Sequence, residues 1–174
     1  PGSLGGAVLM NAGAWGKEMA SVIQKVSLLT CDGLEPLEQA DLDFVYRGWP
    51  GYEKYEDRAV IVETEVELTK GDPVSIKAEC HRLLEKRRLK QPLHYANAGS
   101  FFKNPPGDSA GRLIESCGLK GLTVGGAMVS EQHANFLVNT GEATAKDILG
   151  LMKKVQKKVV KDSGIALVPE IHII

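Results

Sequence analysis

The chain has 174 residues, 43% of them hydrophobic and 25% charged, the range of one ordinary folded domain or two small ones. Its 21 basic and 22 acidic residues leave a formal net charge of −1, which excludes a global field for nucleic acid or an anionic membrane surface, so an anionic ligand has to be met by a local cluster. Cys31, Cys80 and Cys117 are far apart and form no CxxC pair, no apolar run approaches the roughly 20 residues of a membrane helix, and no signal peptide opens the chain; reduced thiols, no membrane and a cytoplasmic location are expected.

Residues 4–16 carry Gly5, Gly6, Gly13 and Gly16 among alanines, so backbone there can approach another surface closely. Segment 22–31 reads as a strand with Val22, Val26 and Leu28 on one face, closed by Gly33. Asp43–Tyr55 is aromatic and turn-rich. Val60, Val62, Thr64, Val66 and Leu68 alternate with Glu63, Glu65 and Glu67, which predicts a half-buried antiparallel strand. After the break at Gly71, Asp72 and Pro73, the spacing of Ile76, Cys80, Leu83, Leu84 and Arg87 predicts a helix with a basic, solvated face. A short helix near 109–117 stops at Gly118, and Gly121–Gly126 turns into a strand near 135–139. Thr144 and Asp147 form a capping box for a helix with the stripe Ile148, Leu151, Met152, Val155 and Val159, ended by Gly164. Ala166–Ile174 reads as a last strand, at an edge because of Pro169. This irregular alternation predicts the α+β class.

Several polar groups stand where a core would not choose them. Ser100, in NAGSFFKNP, follows two small residues and precedes two aromatics, so its hydroxyl is a candidate nucleophile or proton donor; an ordinary turn serine is the bland alternative. Lys103 and Asn104 add a cation and an amide suited to phosphate or carboxylate. Arg47 follows Phe44 and Tyr46 and offers a planar fork for a carboxylate, or serves as a surface arginine. Glu170 is an acid within an apolar run, either a half-buried acid or an outward-facing strand residue. Gln132 and His133 directly precede a strand. The histidines fall in no metal-ligand spacing, and no metal is expected.

Together and in this order, GGAVLMNAGAWG (5–16), FVYR (44–47), NAGSFFKNP (97–105), GLKGLTVGGAMVSEQHANFLVN (118–139) and PEI (169–171) resemble the UDP-N-acetylenolpyruvoylglucosamine reductases over nearly the whole chain. The resemblance implies an FAD enzyme that uses NADPH to reduce the enolpyruvyl ether of a UDP-sugar to UDP-N-acetylmuramate, in peptidoglycan precursor synthesis. It implies that Arg47 and Glu170 stabilise the enolpyruvyl carboxylate as it gains charge, and that Ser100 donates the proton. Lys103, Asn104, Gln132 and His133 become substrate contacts, while Gly5, Gly6, Asn11, Gly13 and Ala14 match the stretch that lies against the flavin. Gly48, Trp49, Pro50 and Gly51 depart from the polar stretch that commonly follows the family's YR.

The same resemblance assigns residues 1–70 to the remainder of an FAD-binding domain, with 165–174 returning to it, and 71–164 to a substrate-binding domain. It places the family's N-terminal flavin-anchoring region outside these residues, so this chain alone is expected to bind FAD poorly; separately, a monomer is favoured. Two rivals stand beside that reading. One is a truncated, non-catalytic nucleotide-sugar binding module; the other is a hydrolase using Ser100 with His133 as base, which lacks the usual nucleophile elbow.

Overall fold

Helices and short antiparallel strands alternate irregularly in a computed structural model that describes residues 2–56 and 58–173, an α+β arrangement. The chain divides after Gly71 into a unit of residues 1–71 and a unit of residues 72–174.

The first unit opens with a short helix, α1 (Leu4–Leu9), capped by the Ser3 hydroxyl, and a two-residue hairpin of β1 (Gly13–Ala14) with β2 (Lys17–Glu18). Its turn residues Trp15 and Gly16 both have positive φ, as the favoured hairpin turn requires. A three-stranded antiparallel sheet follows, in the order β4 (Gly33–Glu38), β3 (Ile23–Thr30), β5 (Val60–Val66). Its core holds Val8, Ile23, Val26, Leu28, Trp49 and Ala59. Against it lies a chain of rings, Phe44, Trp49, Tyr52 and Tyr55, with successive centroids 5.1, 5.6 and 5.8 Å apart; Pro50–Glu53 forms the helical turn α2 within it.

The second unit begins with α3 (Pro73–Lys90), started by the Asp72 carboxylate bonded to Ser75 N and by Pro73 in the first turn. Four strands make its sheet, β6 (Ala96–Asn97), β9 (Leu137–Asn139), β8 (Ala127–Val129) and β7 (Thr123–Val124), antiparallel throughout and in that spatial order. The helices α4 (Ala110–Ser116) and α5 (Ala145–Ser163) cover it. The buried stripe of α5, Leu151, Met152, Val155 and Val159, joins Leu113, Ile114, Val129, Leu137 and Phe102 in one core. Thr144 and Asp147 make the expected capping box, and Gly164 ends the helix at φ 73°, a left-handed conformation that glycine takes without cost.

Four expectations need correction. The alternation in 60–68 holds only in part: Thr64 is half-buried as expected, but Val60 and Val62 are exposed while Ile61 packs on the core. Ladder slips between Ser27/Leu28 and Ile23/Lys25 explain this, because each bulge reverses which face the following residues occupy. In β3 the inward residues are Ile23, Val26 and Leu28, with Val22 outside the strand. No residue of α3 is buried, so its apolar positions do not form a core stripe. Residues 166–173 form no strand; a single bridge joins Pro169 to Phe102, and Ile174 lies outside the described residues. Leu167, buried in the second core and bonded through its carbonyl to Gln156 Nε2 at 2.9 Å, anchors this segment within the second unit. The strand β4 was not foreseen; Pro36 lies on it, tolerated because β4 is an edge.

Candidate active site

In the first unit the polar residues gather on two tight turns. Val45 and Gly48 exchange both backbone hydrogen bonds, at 3.0 and 3.2 Å, so Tyr46 and Arg47 form a two-residue hairpin turn with Arg47 at φ 57°. An arginine held in the left-handed region is uncommon and costs about 1–2 kcal/mol that the surrounding bonds must offset. Its guanidinium donates to the Gly13 carbonyl at 2.9 Å and reaches the Asn11 carbonyl at 3.5 Å, with the Tyr46 ring 4.9 Å from its centre. The Asn11 side chain, only 1% exposed, donates to Glu18 Oε2 and the Val45 carbonyl and accepts from Ala20 N. Asn11 therefore braces the Arg47 turn from inside.

Gly13 and Ala14 line a cleft of about 610 Å³ together with Ala12, Lys17, Glu18 and Met19. Glycine is required at 13, because a Cβ there would lie 2.5 Å from the Lys17 carbonyl. Such small residues let backbone approach a flat ring, so this stretch fits a flavin. Gly5 does something else: a Cβ there would sit 3.6 Å from Ile61, so it serves the contact of α1 with β5. Gly6 lies beside the capping Ser3 hydroxyl.

In the second unit the ladder of β6 with β9 pairs Asn97 with Val138, and the next bond joins Phe101 N to the Asn135 carbonyl at 2.8 Å. One strand thus advances four residues while its partner advances three. The extra residue is expelled as a bulge, with Gly99 at φ 85° and its N–H on Asn97 Oδ1, and Ser100 is left exposed. The aromatics behind it, Phe101 and Phe102, are buried and anchor the loop.

On the other edge of the same segment, Lys103 N donates to the Val168 carbonyl at 2.8 Å and Glu170 N to the Phe101 carbonyl at 2.9 Å. Ser100, Lys103 and the half-buried Glu170 are therefore carried on two directly paired stretches. Asn104 is exposed; its Oδ1 accepts from Ala110 N and so caps the start of α4. Gln132 donates through its amide to the Arg88 and Leu89 carbonyls, which ties it to the end of α3. His133 Nδ1 accepts from Asn135 N at 3.2 Å, which puts its proton on Nε2, and burial pushes its pKa below the ordinary 6.5.

Asn135, whose amide holds both backbone groups of Phe102, is not among the expected site residues. Its signal was present, an amide inside the apolar run ANFLVN, but which group it would bond depended on a register that no local pattern states. Among the described residues no group of three or more His, Cys, Asp and Glu stands together for a metal, and no helix is long and apolar enough to cross a membrane.

Residues 91–174 match the family described as UDP-N-acetylenolpyruvoylglucosamine reductase, C-terminal domain. The whole chain is 43% identical, over 176 residues, to the UDP-N-acetylenolpyruvoylglucosamine reductase of Caldanaerobacter subterraneus subsp. tengcongensis, and 46% identical, over 175, to that of Streptococcus pneumoniae strain Hungary19A-6. It spans 57% of the length of each. The crystal structure of the UDP-N-acetylenolpyruvylglucosamine reductase from Thermus caldophilus is similar with a TM-score of 0.79 at 37% identity, covering 97% of this chain and 59% of that one.

Proposed function

We propose, for a chain that belongs to the UDP-N-acetylenolpyruvoylglucosamine reductase family as its C-terminal part, that it carries the proton-donating and carboxylate-binding residues for reducing UDP-N-acetylglucosamine enolpyruvate to UDP-N-acetylmuramate. The observation that carries this reading is the pairing of the Ser100 bulge with the Glu170 segment, which holds an exposed hydroxyl and a half-buried acid on two hydrogen-bonded stretches of chain. FAD, when bound, would supply hydride transfer from NADPH to the terminal alkene carbon, and Gly13 and Ala14, which line the cleft of the first unit, would hold its ring.

Charge then develops at the other alkene carbon and its carboxylate. Arg47 holds that carboxylate with a fork already oriented by the Gly13 carbonyl, and Glu170 shares a proton with it. Ser100 gives its hydroxyl proton to the charged carbon, closing the new C–H bond. A serine alkoxide is a poor leaving state, so Lys103, three residues on, stabilises it before solvent returns the proton. The remaining roles are binding ones: Lys103 and Asn104 meet the diphosphate or sugar, and Gln132 and His133 support the neighbouring turn.

The test is NADPH oxidation in the presence of added FAD and UDP-N-acetylglucosamine enolpyruvate, with the lactyl ether product identified by mass. Product formed by the wild type and lost in Ser100→Ala supports the reading. A second reading is a nucleotide-sugar binding module without catalysis. UDP-sugar binding with no flavin uptake and no product would select it.

A further inference from the structure

Asn135 is 3% exposed and lies on a turn, two residues before β9 begins. Its side chain nevertheless does what a strand backbone does: Oδ1 accepts from Phe102 N at 3.0 Å and Nδ2 donates to the Phe102 carbonyl at 2.8 Å. Its own carbonyl accepts from Phe101 N at 2.8 Å. One residue therefore satisfies three of the four backbone groups of Phe101 and Phe102, the two residues that follow Ser100. These groups are buried, and an unpaired buried N–H or carbonyl is costly, so few other side chains substitute for this amide. The opposite edge of the same two residues carries Glu170, through its N–H on the Phe101 carbonyl.

We infer that Asn135 is a positioning residue for the reaction proposed above, a side-chain latch that closes the bulge and fixes Ser100 and Glu170 in register through Phe101 and Phe102. The inference rests on that reading for its catalytic meaning, but the latch is a property of this chain by itself. A ladder formed only by backbone would have allowed the extra residue to slip along the strand. The amide, which presents one donor and one acceptor to a single residue, accepts only one register.

Amide hydrogen exchange on the chain, in the wild type and in Asn135→Asp, tests it. The carboxylate keeps the bond to Phe102 N and places an oxygen against the Phe102 carbonyl. Protection at Phe101, Phe102 and Glu170 is expected to fall by about tenfold or more, while Val155 and Val159 on α5 keep theirs. Asn135→Ser, which retains a single hydrogen-bonding group, stands in if the aspartate variant does not fold. With FAD and NADPH supplied, kcat should fall in the same variant by more than KM rises, because the proton donor moves and the binding residues largely remain. Unprotected Phe102 and Glu170 amides in the wild type would overturn the latch. So would a uniform loss of protection across residues 72–173 in the variant, which would make Asn135 a fold-stabilising residue only. A wild type with slow exchange at these amides and no turnover would instead sink the reductase reading and leave the latch standing.

Discussion

The Arg47 turn and the Ser100 bulge hold one functional group each, by opposite means. Arg47 sits at φ 57° in a two-residue turn, and its own guanidinium is bonded to the Gly13 carbonyl. Ser100 is exposed, and the residues after it do the fixing, through Asn135 on one edge and Val168 and Glu170 on the other. The difference matches what each group would do in the proposed reaction. A cation that binds a carboxylate gains from a fork oriented in advance, whereas a hydroxyl that gives up a proton needs a rigid backbone and an unburdened oxygen.

Removing the hydroxyl is the sharpest way to break this comparison. Ser100→Ala should lower kcat by roughly 10²–10⁴-fold while leaving the thermal midpoint within a degree or two, because an exposed side chain contributes little to stability. A variant that keeps full kcat would remove Ser100 from the chemistry. Arg47→Lys comes next. It preserves charge but loses the fork and the bond to Gly13, so kcat/KM should fall by about 10²-fold. Equal activity in the lysine variant would show that a point charge suffices and that the turn geometry has no role.

The backbone under the serine gives a smaller effect. Gly99 has φ 85° with nothing within 4 Å of a Cβ built on it, so Gly99→Ala strains only the backbone and should cost about 1–2 kcal/mol. Denaturant titration measures it, and an unchanged midpoint would mean that the bulge relocates. This residue also marks where the sequence was legible and where it was not. Its neighbours in the chain signal a turn, and the caps Ser109, Thr144 and Gly164 signal the ends of α4 and α5, because each of these acts within one helical turn. The bulge at Ser100 and the outward turn of Val60 and Val62 in β5 could not be read locally. Both arise from counting residues on two strands that are distant in sequence. Val60 and Val62 look inward by alternation, and only the slip opposite Ser27 and Leu28 turns them out. The family resemblance named Ser100, Arg47 and Glu170 without any such count, but it left Asn135 unassigned.

The smallest effect is a pH dependence next to the latch, and its sign is fixed by geometry. His133 is partly buried and neutral, with Nδ1 occupied as the acceptor of Asn135 N, so protonation charges a desolvated ring and breaks that bond. Its folded pKa lies below 6.5, chiefly because of burial, while the unfolded chain takes up the proton at the ordinary value. The unfolded state therefore binds more protons in that interval. Stability contributed by neutral His133 is fully present above about pH 6.5 and is lost as pH falls from there through the folded pKa. Histidine titration by NMR should find His133 half-protonated below the ordinary value. Denaturant midpoints taken from pH 7 downward should drop less in His133→Gln than in the wild type. Titration of His133 at or above 6.5 would mean that the ring is solvated, and the turn carrying Asn135 would then owe nothing to it. A wild-type midpoint that falls further with acid than that of His133→Gln assigns the pH sensitivity of the turn carrying Asn135 to the His133 ring.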